Sequence, residues 1–170
     1  MHRLNKQGGA TLAVAMVILL LLTILGVAAT QVSLMQEKMT GNLRDKDLSF
    51  QATESAIIQA EKWILNLVVA QTPSSSCTSP CVHTLNNTLN FPQQAVSWWT
   101  SNAGSYTNAA LSGISSAPRY YIEYNRFVPD NPLIGHGQTT GVHYFRVTGR
   151  GNGGTNNSVS VIQTTVAKRF

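Results

Sequence analysis

The sequence is short of acid, of cysteine and, over one long stretch, of proline. Seven Asp and Glu stand against twelve Lys and Arg, giving a formal charge of +5. Five of those acids lie between Glu37 and Glu61, so the C-terminal part holds only Glu123 and Asp130. His83, His136 and His143 have no nearby cysteine nucleophile or carboxylate pair, so no catalytic constellation is visible and no enzyme is expected. Cys77 and Cys81 are the only cysteines. With His83 they give a Cys-x3-Cys-x-His spacing, but no fourth ligand is in view, and neither a metal nor another cofactor is expected. The basic residues are dispersed, with Arg119, Arg126, Arg146 and Arg150 isolated from one another and only Lys168-Arg169 adjacent. That is not the clustered footprint of a nucleic-acid binder, and no specific nucleic-acid partner is expected.

What the sequence does have is one long apolar run. From Ala10 to Ala29 only Thr11 and Thr23 carry polar side chains and no charge occurs. About 20 such residues cross about 30 Å of hydrocarbon as a helix. Arg3 and Lys6 precede the run while Glu37 and Lys38 cancel after it. The positive-inside bias therefore puts the N-terminus in the cytoplasm and the bulk of the chain outside. Three origins suit such a run. A secretory signal peptide finds a small-residue cleavage site at Val27-Ala28-Ala29, but its core is usually about 7 to 15 residues. A plain anchor explains the hydrophobicity but not Lys6-Gln7-Gly8-Gly9, which places two small residues where a cytoplasmic processing enzyme could reach them.

No proline occurs between Gln31 and Leu67, and apolar residues recur at Val32, Met35, Met39, Leu43, Phe50, Ile57, Ala60 and Ile64. That spacing is helical. Joined to the apolar run it predicts one helix of about 55 to 60 residues and about 85 Å. Its C-terminal half should present Phe50, Ile57 and Ile64 to a globular head. Gly41-Asn42 is a weak point in helix propensity, but the apolar spacing resumes in register at Leu43, so the helix is expected to continue. Pro73 and Ser74-Ser75-Ser76 are expected to end it.

The remaining 100 or so residues suffice for one domain. Outside the cytoplasm the two cysteines read as a disulfide pinning a small loop. Residues 84–118 are polar, with one short helix expected near Gln93 to Thr100. Trp98-Trp99 has two readings, an exposed ligand platform or, for one of the pair, an anchor of the head core against the helix. Tyr120 to Val128, Val142 to Thr148 and Ser158 to Ala167 alternate as strands. Gly149 to Asn157 between the last two is expected to be a turn, although Gly149, Gly151 and Gly154 formally match a dinucleotide-binding fingerprint. That fingerprint needs a helix after the strand, and here a strand follows. The fold class expected is α+β, a long helix packed on a C-terminal antiparallel sheet.

Residues 1–9 and the apolar run resemble a type IV prepilin signal. Glu37-Lys38-Met39-Thr40-Gly41-Asn42-Leu43-Arg44-Asp45 followed by Phe50-Gln51-Ala52-Thr53-Glu54 resembles the signature of PilX-type minor pilins, which are similar to the K-type pseudopilins of secretion systems. The resemblance implies a pilin-like fold divided into a leader (1–9), a transmembrane segment (10–30), an amphipathic helical continuation (31–70) and a head (71–170) with polar loops (71–118) and a three-stranded antiparallel sheet (119–170). It implies cleavage by a prepilin peptidase between Gly9 and Ala10, N-methylation of Ala10, and loss of Arg3 and Lys6, which takes the formal charge from +5 to +3. The implied partners are other minor pilins, the major pilin, the peptidase and the inner-membrane assembly platform. The implied location is the bacterial inner membrane with a periplasmic head, then the pilus. One departure matters: pilins usually carry Glu as the fifth mature residue, and that position is Val14 here. The pseudopilin lacking this Glu is regarded as the tip subunit, so the expected role is initiation of pilus assembly at or near the tip. The alternative is a pilus-associated adhesin or another anchored binding protein without a role in assembly.

Overall fold

A computed structural model of the chain describes residues 9–77, 80–107, 111–130 and 140–170. The expected leader up to Gly8, and residues 131–139 with His136 among them, lie outside the described residues. Helix α1 (Ala10–Asn66) is 57 residues long and hydrogen-bonded through both Gly26 and Gly41-Asn42. The chain divides into two compact units, Met1–Leu43 and Arg44–Phe170.

In the first unit every described side chain is exposed. Its most apolar 18-residue window has a mean hydropathy of 2.9 and no buried residue. By length and composition it can cross a membrane, and lipid is the solvent in which such exposure carries no penalty. The hydroxyls of Thr23 and Thr30 donate back to the carbonyls of Leu20 and Val27 at 2.7 and 2.8 Å. They therefore ask for no partner from hydrocarbon.

The second unit packs the C-terminal half of α1 on a five-stranded sheet. Its strands are β1 (His83–Thr84), β2 (Gly104–Ser105), β3 (Arg119–Pro129), β4 (Gly141–Asn152) and β5 (Val159–Arg169). The path runs β1-β3-β4-β5, with β2 also pairing β3. All neighbours are antiparallel except β1 and β3, where His83 lies opposite Glu123 in a parallel bridge. The three long strands fall where aromatic and β-branched alternation predicts them. The two short ones add two residues each and carry no periodic signal.

Helix and sheet meet through small residues. The buried side of α1 is Ser49, Ala52, Thr53, Ala56, Ile57, Ala60 and Ile64. Ile57 and Ile64 face the sheet as their spacing predicts, whereas Phe50 points away and is 46% exposed. The reason lies on β4, which extends to Asn152 and so takes in Gly149 and Gly151, the first glycines of the run expected to be a turn. A Cβ on Gly149 would stand 2.7 Å from the Ile57 side chain, and one on Gly151 2.6 Å from the backbone N of Thr53. One on Gly153 would meet the backbone of Asp45. Glycines at alternate positions thus clear one side of the strand for a helix backbone, and no phenyl ring fits there. The chain reversal itself is shorter, closed by the Gly153 N–H donating to the Ser158 carbonyl at 2.8 Å.

The seam is sealed with hydrogen bonds. Ser49 and Ser160 hydroxyls lie 2.7 Å apart, and the Thr53 hydroxyl donates to the Ser49 carbonyl at 2.7 Å. Asp45 accepts from the Thr155 hydroxyl and N–H, which holds its carboxyl below the usual aspartate value. At the other end α1 stops at Asn66, seven residues before Pro73, so proline does not terminate it. Its last turn contains no basic residue of its own. Lys168 of β5 donates instead to the carbonyls of Ile64, Leu65 and Leu67, a cation placed on the negative end of the helix.

Gly151→Ala should therefore lower the stability of the head by about 1–3 kcal/mol through overpacking against the Thr53 backbone. Phe50→Ala should stay within about 0.5 kcal/mol, as exposed substitutions do. Thermal unfolding of the full chain in detergent, followed by near-UV circular dichroism, measures both. An unchanged midpoint for Gly151→Ala would mean that the helix is not held against β4.

Candidate functional site

The first candidate region is the start of α1. The helix begins at Ala10, and the Gly9 carbonyl accepts from the Ala13 N–H at 3.4 Å. The expected scissile bond thus joins a turn residue to the first helical residue. Val14 is 57% exposed. The first charged side chain after the run is Glu37, so no carboxylate lies near Val14 in the helix.

The second region is a layer of short elements between β1 and β2, packed through Phe91, Trp99 and Ala103 on Tyr121, on the sheet face away from α1. Its 3-10 turn Phe91–Gln93 and helix α2 (Val96–Asn102) lie close to the short helix predicted near Gln93 to Thr100. Trp99 is fully buried and packs with Phe91, Ala103 and Tyr121. The tryptophan anchor is therefore real but holds this outer layer to the sheet, since Trp99 packs on Tyr121 and not on α1. Trp98 is half-buried, edge-on to Trp99 with centroids 5.4 Å apart. Of the two, only Trp98 retains surface that a ligand could touch.

His83 fixes the beginning of the layer. Its ring stacks on Tyr121 with centroids 4.1 Å apart and planes 17° from parallel. Cys77 and Cys81 are joined in a disulfide. Their sulfurs approach the His83 ring nitrogens at 3.7 Å and 3.5 Å. Sequence spacing thus does bring the two cysteines and His83 together, within 4.8 Å of one another. With both sulfurs in a disulfide, neither is a thiolate, and the group lacks the donors that soft metals select. Burial raises the Tyr121 phenol to about 12, aided by the Glu123 charge, so the ring beneath His83 stays neutral.

One feature escaped sequence reasoning. Glu123, fully buried on β3, accepts from Arg146 Nε on β4 at 2.8 Å and from the Asn86 N–H at 3.0 Å. Both carboxylate oxygens are used, so the group pins residues 86–87 to the sheet and is not a free acid. A lone Glu in an aromatic strand was the available signal.

Two family models match the chain: PilX N-terminal over residues 7–57, and Type IV pilus assembly protein PilX C-term over residues 66–168. No curated protein and no solved structure matches it.

His83 gives the head a pH dependence. Burial lowers its pKa below the ordinary imidazole value, and the Asn102 backbone carbonyl only partly offsets this. The unfolded chain therefore takes up a proton below about pH 6.5 that the folded head does not. The contribution is intact above that pH and is lost as pH falls through it. The melting midpoint should drop between pH 7.5 and 5.5, and His83→Gln should make the drop smaller. An identical drop in the variant would remove His83 as its source.

Proposed function

The chain belongs to the PilX family and is a type IV pilus minor pilin, and from that premise we propose that it helps to initiate pilus assembly and sits at or near the pilus tip. The observation that carries this is Val14. Pilins tolerate a carboxylate in the span because the amino terminus of a neighbouring subunit neutralises it in the filament. Without such a partner, an acidic side chain at that depth costs about 2–3 kcal/mol. A subunit with no neighbour ahead of it has no use for the carboxylate, and Val14 avoids its cost.

In this reading the apolar helix anchors the chain in the bacterial inner membrane with the head in the periplasm. Prepilin peptidase cuts Gly9-Ala10, Ala10 is N-methylated, and the assembly platform moves the subunit into the pilus beside other minor pilins and the major pilin. Mass spectrometry of the mature chain should find N-methylated Ala10. A terminus at Thr30 would instead indicate ordinary secretion.

Val14→Glu should leave the melting midpoint of the head unchanged. It should also either reduce the amount of subunit retained in the membrane or allow it along the filament shaft. Immunogold labelling of sheared pili locates a tagged subunit. Regular labelling of the shaft by the Val14 protein would overturn the tip placement.

A further inference from the structure

Gln59, Lys62, Trp63 and Asn66 follow one another at three, four and seven residues, so they share one side of α1. Together with β2 and the start of β3 they line a groove of about 540 Å³ in the head. Small-molecule sites usually enclose about 300–1,000 Å³. Glu54 and Glu61 fall on the opposite side of the helix at 3.6 residues per turn, and no Asp or Glu lines the groove. The ion pairs among the described residues are Glu123 with Arg146 and Asp130 with Arg169, so Lys62 has no carboxylate partner.

The walls of the groove are fixed before any ligand arrives. Gln59 Nε2 donates to the Thr107 hydroxyl at 3.1 Å, and the Thr107 N–H donates to Gln59 Oε1 at 3.0 Å. Tyr120 lies against Gly104, where a Cβ would stand 2.6 Å from its ring. Burial raises the Tyr120 phenol above its ordinary value, and Gln59 only partly offsets this, so the hydroxyl stays protonated. Trp63 packs part of its indole on the apolar core and shows the rest to the groove. Trp98, by contrast, stands among the rings of Phe91, Trp99 and Tyr121.

We propose that this groove binds a carbohydrate, a pyranose ring that carries a carboxylate. A pyranose has a face of C–H bonds and a rim of hydroxyls, and the C–H face settles on an aromatic ring, whose π-face is negative. Trp63 offers that ring. Asn66, Ser105 and Tyr120 offer an amide and hydroxyls that both donate and accept, as sugar hydroxyls require. Lys62 offers one cation for the carboxylate. A lipid tail would need an aliphatic wall, and no Val, Leu, Ile or Met lines the groove. A nucleic acid would need a row of cations, and the groove has one. The inference rests neither on the tip placement nor on a role in assembly.

The test uses the full chain in micelles of a detergent without a sugar headgroup, with binding followed by saturation-transfer NMR. Methyl glucuronide should bind with a Kd on the order of 1 mM, as a ligand of that size allows. Methyl glucoside, the same ring without the carboxylate, should bind about fivefold more weakly, the scale of an exposed ion pair. Lys62→Gln should keep the wild-type melting midpoint and bring the glucuronide down to the level of the glucoside. Trp63 also packs on the core, so its test is Trp63→Phe, which keeps a ring there and should weaken both sugars about threefold. Asn66→Ala, an exposed change, should weaken both without moving the midpoint, and Trp98→Phe should change neither sugar. Absence of saturation transfer to methyl glucuronide overturns the proposal, as does equal binding of the two sugars by the wild type. Binding that survives both Trp63→Phe and Asn66→Ala also overturns it. So does equal binding of N-acetylglutamate, which would make the groove a site for acidic peptide side chains. None of these outcomes depends on where immunogold finds the subunit.

Discussion

The contact on which the head depends is the approach of a helix backbone to a strand that sends no side chains toward it. Gly149 and Gly151 leave the end of β4 bare, and Gly153 the residue just beyond it, over the stretch where Asp45 to Ile57 lie against them. Once the two backbones are that close, the helix can offer only Ser49, Ala52, Thr53 and Ala56 to the sheet. Their hydroxyls must then find partners within the seam, and Ser160 supplies them. Further along, Val147 and Phe145 replace the glycines, and Ile64 and Ile122 join them in the apolar core. The seam therefore changes along its length from a polar, close-packed end to an apolar, conventional one. Lys168 closes the apolar end on the helix carbonyls.

That gradient explains which parts of the fold could be read from the sequence. The length and continuity of α1 were legible because they follow from an apolar run, an absence of proline and a sustained period. The three long strands were legible for the same reason, since Ile122, Val147 and Ile162 alternate visibly with polar neighbours. The side of the helix that packs was legible only in part. Apolar spacing identifies a packed face by its large residues, and at Phe50 the strand opposite admits none. A glycine-rich run between two strands ordinarily signals a turn. Alternate glycines within a strand instead signal a close approach, and the two cannot be separated without knowing what lies opposite.

The candidate site residues divide in the same way. Pairing of Cys77 with Cys81 follows from their being the only two cysteines in a chain whose bulk was expected outside the cytoplasm. The proximity of His83 to them follows from spacing. The fate of the tryptophans does not, because α2 is only seven residues long. Which of two adjacent residues a single short helix buries depends on its roll against Tyr121 and Phe91. The buried Glu123–Arg146 pair was equally invisible. It depends on register between β3 and β4, and register is a property of two strands together.

The scarcity of acid acquires a physical meaning once both sides of the sheet are known. A head with Glu123 and Asp130 as its only carboxylates beyond the helix can neutralise two arginines. The rest must face water or another molecule. On α1 both signs are interleaved, Arg44, Lys46 and Lys62 standing among Asp47, Glu54 and Glu61, which lowers self-repulsion there. On the sheet face away from α1, Arg119 and Arg150 stand opposite each other without a carboxylate, and the Asn152 side-chain carbonyl accepts from Arg150 in its place.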